Sequence, residues 1–124
     1  MAGSNDASQQ IVMLVDDDED VREAMSELLK TTGYLTLEAG NGKEAIEILT
    51  KAQRLPMLIL LDLAMPILDG FGFLRLRAPD PVLREIPVFV VSASEPPALT
   101  EGIDIFLRKP VEVTRLLQLI SQYR

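Results

Sequence analysis

Apolar residues recur along this chain with two alternating periods. Ile11-Val12-Met13-Leu14-Val15 is a continuous apolar run, the pattern of a strand buried on both faces. Val21, Met25, Leu28 and Leu29 then fall at helical spacing, with acids ahead of them and Lys30 behind. That charge order complements a helix dipole. Gly33 is placed to end the helix as its C′ residue. Residues 34–38 alternate and include Thr36, which predicts a second strand. Gly40-Asn41-Gly42 predicts a turn, with Asn41 capping a helix whose core face is Ala45, Ile46 and Leu49. Residues 57–61, introduced by Pro56, form a second continuous run. Residues 69–77 predict a short helix weakened by Gly72, and Ala78-Pro79-Asp80-Pro81 a loop. Residues 88–91 are a third buried run behind Pro87, and residues 103–107 a fifth strand. Val113, Leu116, Leu117 and Ile120 give an amphipathic closing helix just after Pro110.

Strands alternating with helices imply parallel pairing through right-handed crossovers. Three continuous apolar strands imply helices on both faces. The pattern therefore predicts a doubly wound α/β sheet. In such sheets, sites form beyond the carboxyl ends of the strands, near a topological switch point. The first strand ends in Asp16-Asp17-Asp18-Glu19-Asp20, the third in Asp62, the fourth in Ser92 and the fifth in Arg108-Lys109-Pro110. Several carboxylates at one edge repel unless a cation sits among them, and a hard divalent ion such as Mg²⁺ suits oxygen ligands. A lysine opposite that ion adds positive charge, and the pair could balance a phosphoryl group. A hydroxyl such as Ser92 can donate to one of its oxygens. Each group also has a plain structural use. Asp18, Glu19 and Asp20 serve a helix start, and a strand-end Asp serves a turn. The joint order of the groups carries the chemistry.

Composition narrows the alternatives. The chain has 124 residues, 48% hydrophobic and 25% charged, which suits one soluble domain. It contains no cysteine and no histidine, which removes thiolate chemistry, histidine metal sites and the commonest general base. A net charge of −7 argues against a nucleic-acid surface. No apolar run is long enough to span a bilayer. Residues 1–10 are polar, lack the pattern of a signal peptide and predict a disordered tail ahead of a domain over 11–124. The cytoplasm is the expected location.

These residues resemble the receiver-domain family of two-component response regulators. Val15-Asp16-Asp17 is similar to its strand-end acid pair, and the segment from Asp62 through Met65-Pro66 to Asp69-Gly70 to its D-x-x-M-P-x-x-D-G acceptor motif. Val90-Val91-Ser92-Ala93 is similar to its hydroxyl-Ala strand end, and Lys109-Pro110 to its K-P. The resemblance runs from about Ile11 to Tyr123. It implies a flavodoxin-like strand order 2-1-3-4-5 and a phosphoacceptor role for Asp62. It implies Mg²⁺ held by Asp16, Asp17, Asp62 and the backbone carbonyl of Ala64. Lys109 would pair with Asp62 and then with the phosphoryl group, and Ser92 would swing towards that group. Phe106 stands where the family has its switch aromatic, and a plain core aromatic is the other reading of it. The implied partners are a histidine kinase or histidine phosphotransfer protein and a downstream protein target. No direct nucleic-acid or membrane contact is implied. A receiver catalyses its own phosphorylation and dephosphorylation and is not a turnover enzyme in the usual sense.

One departure stands out. Only ten residues separate Ser92 from Ile103, and they include Pro96-Pro97. A crossover with its helix needs at least about 10–12 residues, and proline blocks a helix interior. The fourth helix is therefore expected to be shortened or lost. This would alter the family's output face, formed by the fourth helix, fifth strand and fifth helix, and favour a partner or a homodimer there. Three rivals remain at this stage. A phosphatase of the haloacid-dehalogenase type would use Asp16-Asp17-Asp18 as its D-x-D and Lys109 as its lysine, but it leaves the segment from Asp62 to Gly70 unexplained. An EF-hand would use Asp16, Asp18, Asp20 and Glu27, but it needs glycine where Val21 stands. A degenerate receiver would keep the fold and act only as a binding module. A stand-alone regulator is favoured over a receiver excised from a longer protein.

Overall fold

The computed structural model describes residues 9–93 and 101–123. The first apolar run is strand β1, Ile11–Val15, followed by helix α1, Glu19–Thr31. Asp18 caps α1 by accepting from the Val21 amide at 3.2 Å. The helix ends at Gly33, whose φ is +101°. Gly33 N donates to Lys30 O at 3.1 Å, and Tyr34 N to Leu29 O at 2.9 Å. Those two bonds close the helix end as a Schellman motif. They also draw the Tyr34 ring into the core beside Leu29, so strand β2 begins one residue later than the pattern predicts, at Leu35–Ala39. Asn41 caps helix α2, Gly42–Lys51, through the Glu44 amide. Strand β3 is Leu58–Leu61, and Asp69 caps helix α3, Gly70–Arg77, through the Gly72 amide.

A short 3-10 turn, Leu83–Glu85, leads into strand β4, Val88–Ser92. Strand β5 is Ile105–Arg108, shifted towards the carboxyl end from the predicted 103–107. The shift has a local cause. Asp104 uses both its amide and its carboxylate on Val88, donating to Val88 O and accepting from Val88 N, each at 2.8 Å. The Asp104 side chain thereby takes a place in the ladder that a strand residue would otherwise fill. The closing helix α4 is Val113–Ser121, capped by Glu112. The shortening expected between the fourth and fifth strands falls on residues 94–100, outside the described residues. Most of the expected tail, residues 1–8, lies outside them too.

All four strand pairings are parallel, and the order is β2-β1-β3-β4-β5. Alternation along the strands sorts the core into two layers. Met13, Val15, Ile59, Leu61, Val88 and Val90 pack with α2 and α3 on one face. Val12, Leu14, Leu58, Leu60 and Phe89 pack with α1 and α4 on the other. This is the doubly wound architecture, with its chain reversal between β1 and β3 at the centre of the sheet. The site-bearing strand ends lie at that point.

Candidate functional site

Strand pairing places the acids. Asp62 N donates to Val15 O at 2.9 Å and Asp16 N to Ala39 O at 3.1 Å, so both residues leave the sheet at the same edge. Asp16, Asp17 and Asp62 each offer a carboxylate oxygen, all lying within 4.8 Å of one another. Asp17 is exposed, whereas Asp62 is nearly buried at 9% exposure. Asp18, Glu19 and Asp20 lie outside this group, spent on the cap and first turn of α1. The donor set, hard oxygens on three carboxylates, fits a divalent cation of the Mg²⁺ or Ca²⁺ type.

Lys109 follows β5, where its amide extends the ladder by donating to Ser92 O at 2.8 Å. Its Nζ lies 3.2 Å from Asp16 Oδ2 and 4.0 Å from Asp62 Oδ2. The lysine therefore bridges the two acids and is hydrogen-bonded to Asp16 rather than to the Asp62 partner the resemblance implies. The other Asp62 oxygen accepts from the Ala64 amide at 3.4 Å. Burial raises the Asp62 carboxyl above its ordinary range, Lys109 works against that rise, and Asp16 and then Asp17 add to it.

Ser92, almost wholly buried, ends β4 on the face shared with Val88 and Val90. Phe106 pairs with Val90 in the ladder and packs, half-buried, against the core of the same face. In this state it is a core aromatic, on the side of the sheet where the hydroxyl lies. A cavity of about 460 Å³ adjoins the acids on the opposite face, under α1 and the Pro110-Val111 turn.

Sequence reasoning missed Arg22. Its Nη1 donates to the Asp16 carbonyl at 2.7 Å and its Nε to Glu38 Oε1 at 3.2 Å. Nothing in local spacing marks it, because both partners lie on other elements. Ile67, inside the acceptor segment, has φ +68° and is 79% exposed.

The fold and site define a class: doubly wound parallel-sheet domains that gather three carboxylates and a lysine at the carboxyl ends of their strands. Comparison narrows it: the response regulator receiver domain model matches residues 12–121, and the chain belongs to that family. The chain is 32% identical to an uncharacterized 14.6 kDa protein from the sodA1 3′ region of Leptolyngbya boryana, over 94% of this chain and 91% of that one. It is 31% identical to the polar-differentiation response regulator DivK of Brucella anthropi, over 90% and 94%. Its fold matches the receiver domain of a signal transduction histidine kinase from Syntrophus aciditrophicus with a TM-score of 0.83 and 30% identity, covering 92% and 89%. The family is a signalling module of two-component systems, which sets aside the phosphatase and calcium-loop readings.

Proposed function

We propose that this chain accepts a phosphoryl group on Asp62 from a histidine kinase or histidine phosphotransfer protein and relays the change to a downstream protein. One observation carries the reading. Asp62 is a nearly buried carboxylate at the end of a central strand, faced by Lys109 and grouped with two further carboxylates. Lys109 works against the burial that raises the Asp62 carboxyl, and so favours the ionised form that attacks. An Asp62 oxygen attacks phosphorus and the bond from phosphorus to the donor breaks. The electron pair departs with the donor imidazole, or with acetate when acetyl phosphate is the donor. The product is an aspartyl phosphate. Lys109 exchanges a carboxylate contact for a phosphoryl oxygen. The Ser92 hydroxyl donates to another such oxygen, and Phe106 moves inward behind it.

Asp16, Asp17, Asp62 and the Ala64 carbonyl would hold Mg²⁺. When bound, the ion offsets the charge that builds on the phosphoryl oxygens. The modification is self-catalysed and stoichiometric rather than a turnover reaction. The signal leaves through an altered output face that includes β5 and α4, to a protein partner or a second copy of the chain. The cytoplasm, where such kinases present their phosphohistidine, is the proposed location.

Intact mass after incubation with acetyl phosphate and Mg²⁺ tests the chemistry. One phosphate adduct on wild type, absent from Asp62→Asn and absent without Mg²⁺, is the expected result. No adduct on wild type would leave a phosphorylation-independent binding module in its place.

A further inference from the structure

We propose that Arg22 is a positioning residue for the metal-binding acids, holding the β1–α1 turn so that Asp16 and Asp17 face Asp62. The inference rests on the reading of Asp16, Asp17 and Asp62 as a cation site.

The argument begins where the sheet ends. Asp16 N still pairs with Ala39 O, but β2 stops at Ala39, and Asn41, whose amide would take the next rung of the parallel ladder, has turned off the sheet to cap α2. The Asp16 carbonyl therefore has no strand partner on that side. Arg22, one turn into α1, reaches back and donates to it at 2.7 Å. A charge-assisted bond of this length replaces the missing rung. The same guanidinium is fixed from the other side by Glu38 on β2, at 3.2 Å, and is largely buried at 17% side-chain exposure. Arg22 thus ties three elements together at the carbonyl of a candidate ligand. Asp16 is held at its remaining polar atoms as well. Oδ1 accepts from the Asp18 amide at 2.9 Å, and Oδ2 accepts from Lys109. Asp17, exposed, has its orientation set by the backbone between these two fixed residues. Partners of this outer kind orient ligands, and losing one typically weakens metal affinity about 10–100-fold.

Charge alone predicts the opposite sign, which makes the role testable. Removing a cation from beside an acidic site strengthens binding of Mg²⁺ if Arg22 acts only through its field. The measurement is Mg²⁺ affinity by calorimetry on folded protein for wild type, Arg22→Gln and Arg22→Lys. Loss of affinity by about 10-fold in Arg22→Gln, with no rescue by Arg22→Lys, is expected, because lysine keeps the charge but cannot span both the carbonyl and Glu38. Unchanged or tighter binding in Arg22→Gln, or full rescue by Arg22→Lys, overturns the proposal.

A metal-free readout separates this idea from the reading beneath it. Amide exchange at Asp16 and Asp18 should quicken in Arg22→Gln while Leu60, inside β3, keeps its protection. If wild type binds no Mg²⁺, the cation-site reading fails, and the exchange result still decides whether Arg22 holds the turn. Unchanged exchange at Asp16 and Asp18 overturns the positioning role on its own.

Discussion

At the residue scale, Asp62 couples chemistry to stability. Its folded carboxyl holds a proton more tightly than the unfolded chain does, because burial outweighs the help of Lys109. The folded state therefore binds more protons over the window between the ordinary carboxylate range and the raised value, and stability falls as pH rises through it. Above that window the ionised side chain is a net cost. Metal-free Asp62→Asn is expected to be more stable than wild type at pH 7 by about 1 kcal/mol, the scale of an imperfectly satisfied buried group. The gap should close as the pH falls through the raised value, and chemical denaturation with chelator present across that range checks it. Ile67 carries a different cost. A β-branched residue at φ +68° is strained, and here the turn is closed by Leu68 N donating to Pro66 O at 2.7 Å. Its side chain is exposed, so little packing offsets the strain. Ile67→Asn should raise stability by about 1 kcal/mol, read as a higher melting temperature.

At the scale of elements, the approach of α3 to the site depends on missing side chains. A Cβ on Gly70 would lie 2.7 Å from the Asp62 carbonyl and 2.8 Å from Leu63 Cα, both backbone atoms. Neither can yield without moving the acceptor segment. Gly70→Ala should therefore cost about 2 kcal/mol by overpacking, and it should slow phosphorylation by acetyl phosphate even at temperatures where the variant is folded. Melting curves and the mass assay together test this. The far end of the same helix is held by Arg77, whose buried Nη2 donates to the carbonyls of Arg84 and Ile86 at 3.1 and 2.7 Å. That clamp sets the entry to β4, and hence the strand that delivers Ser92.

For the whole molecule, the acids at the sheet edge belong to a chain of net charge −7, so the site sits in a field that attracts cations. A ligand that binds only the folded state stabilises it by mass action, by about 2.7 kcal/mol at a hundredfold excess over Kd. Mg²⁺ should accordingly raise the melting temperature of wild type at constant ionic strength. Asp17→Asn should abolish most of that rise while leaving the metal-free melt within about 0.5 kcal/mol of wild type, because Asp17 is exposed. A rise that survives in Asp17→Asn would remove this residue from the cation site.

The sequence by itself determined the alternation of strands and helices, the cap at Asn41, the helix stop at Gly33 and the order of acid, acceptor, hydroxyl and lysine along the strand ends. These features rest on local physics, namely the periods of burial, the hydrogen bonds of helix ends and the backbone freedom of glycine. Strand ends share one edge in any parallel doubly wound sheet, so the candidate site was legible once the fold class was. Tertiary structure decided the rest. Lys109 meets Asp16 across 93 positions of chain, and Arg22 meets Asp16 and Glu38 because α1 packs against both β1 and β2. Asp104, not a strand residue, completes the ladder beside Val88. Which partner each polar group takes depends on distances set by packing two helical layers on one sheet, and no local pattern encodes those distances.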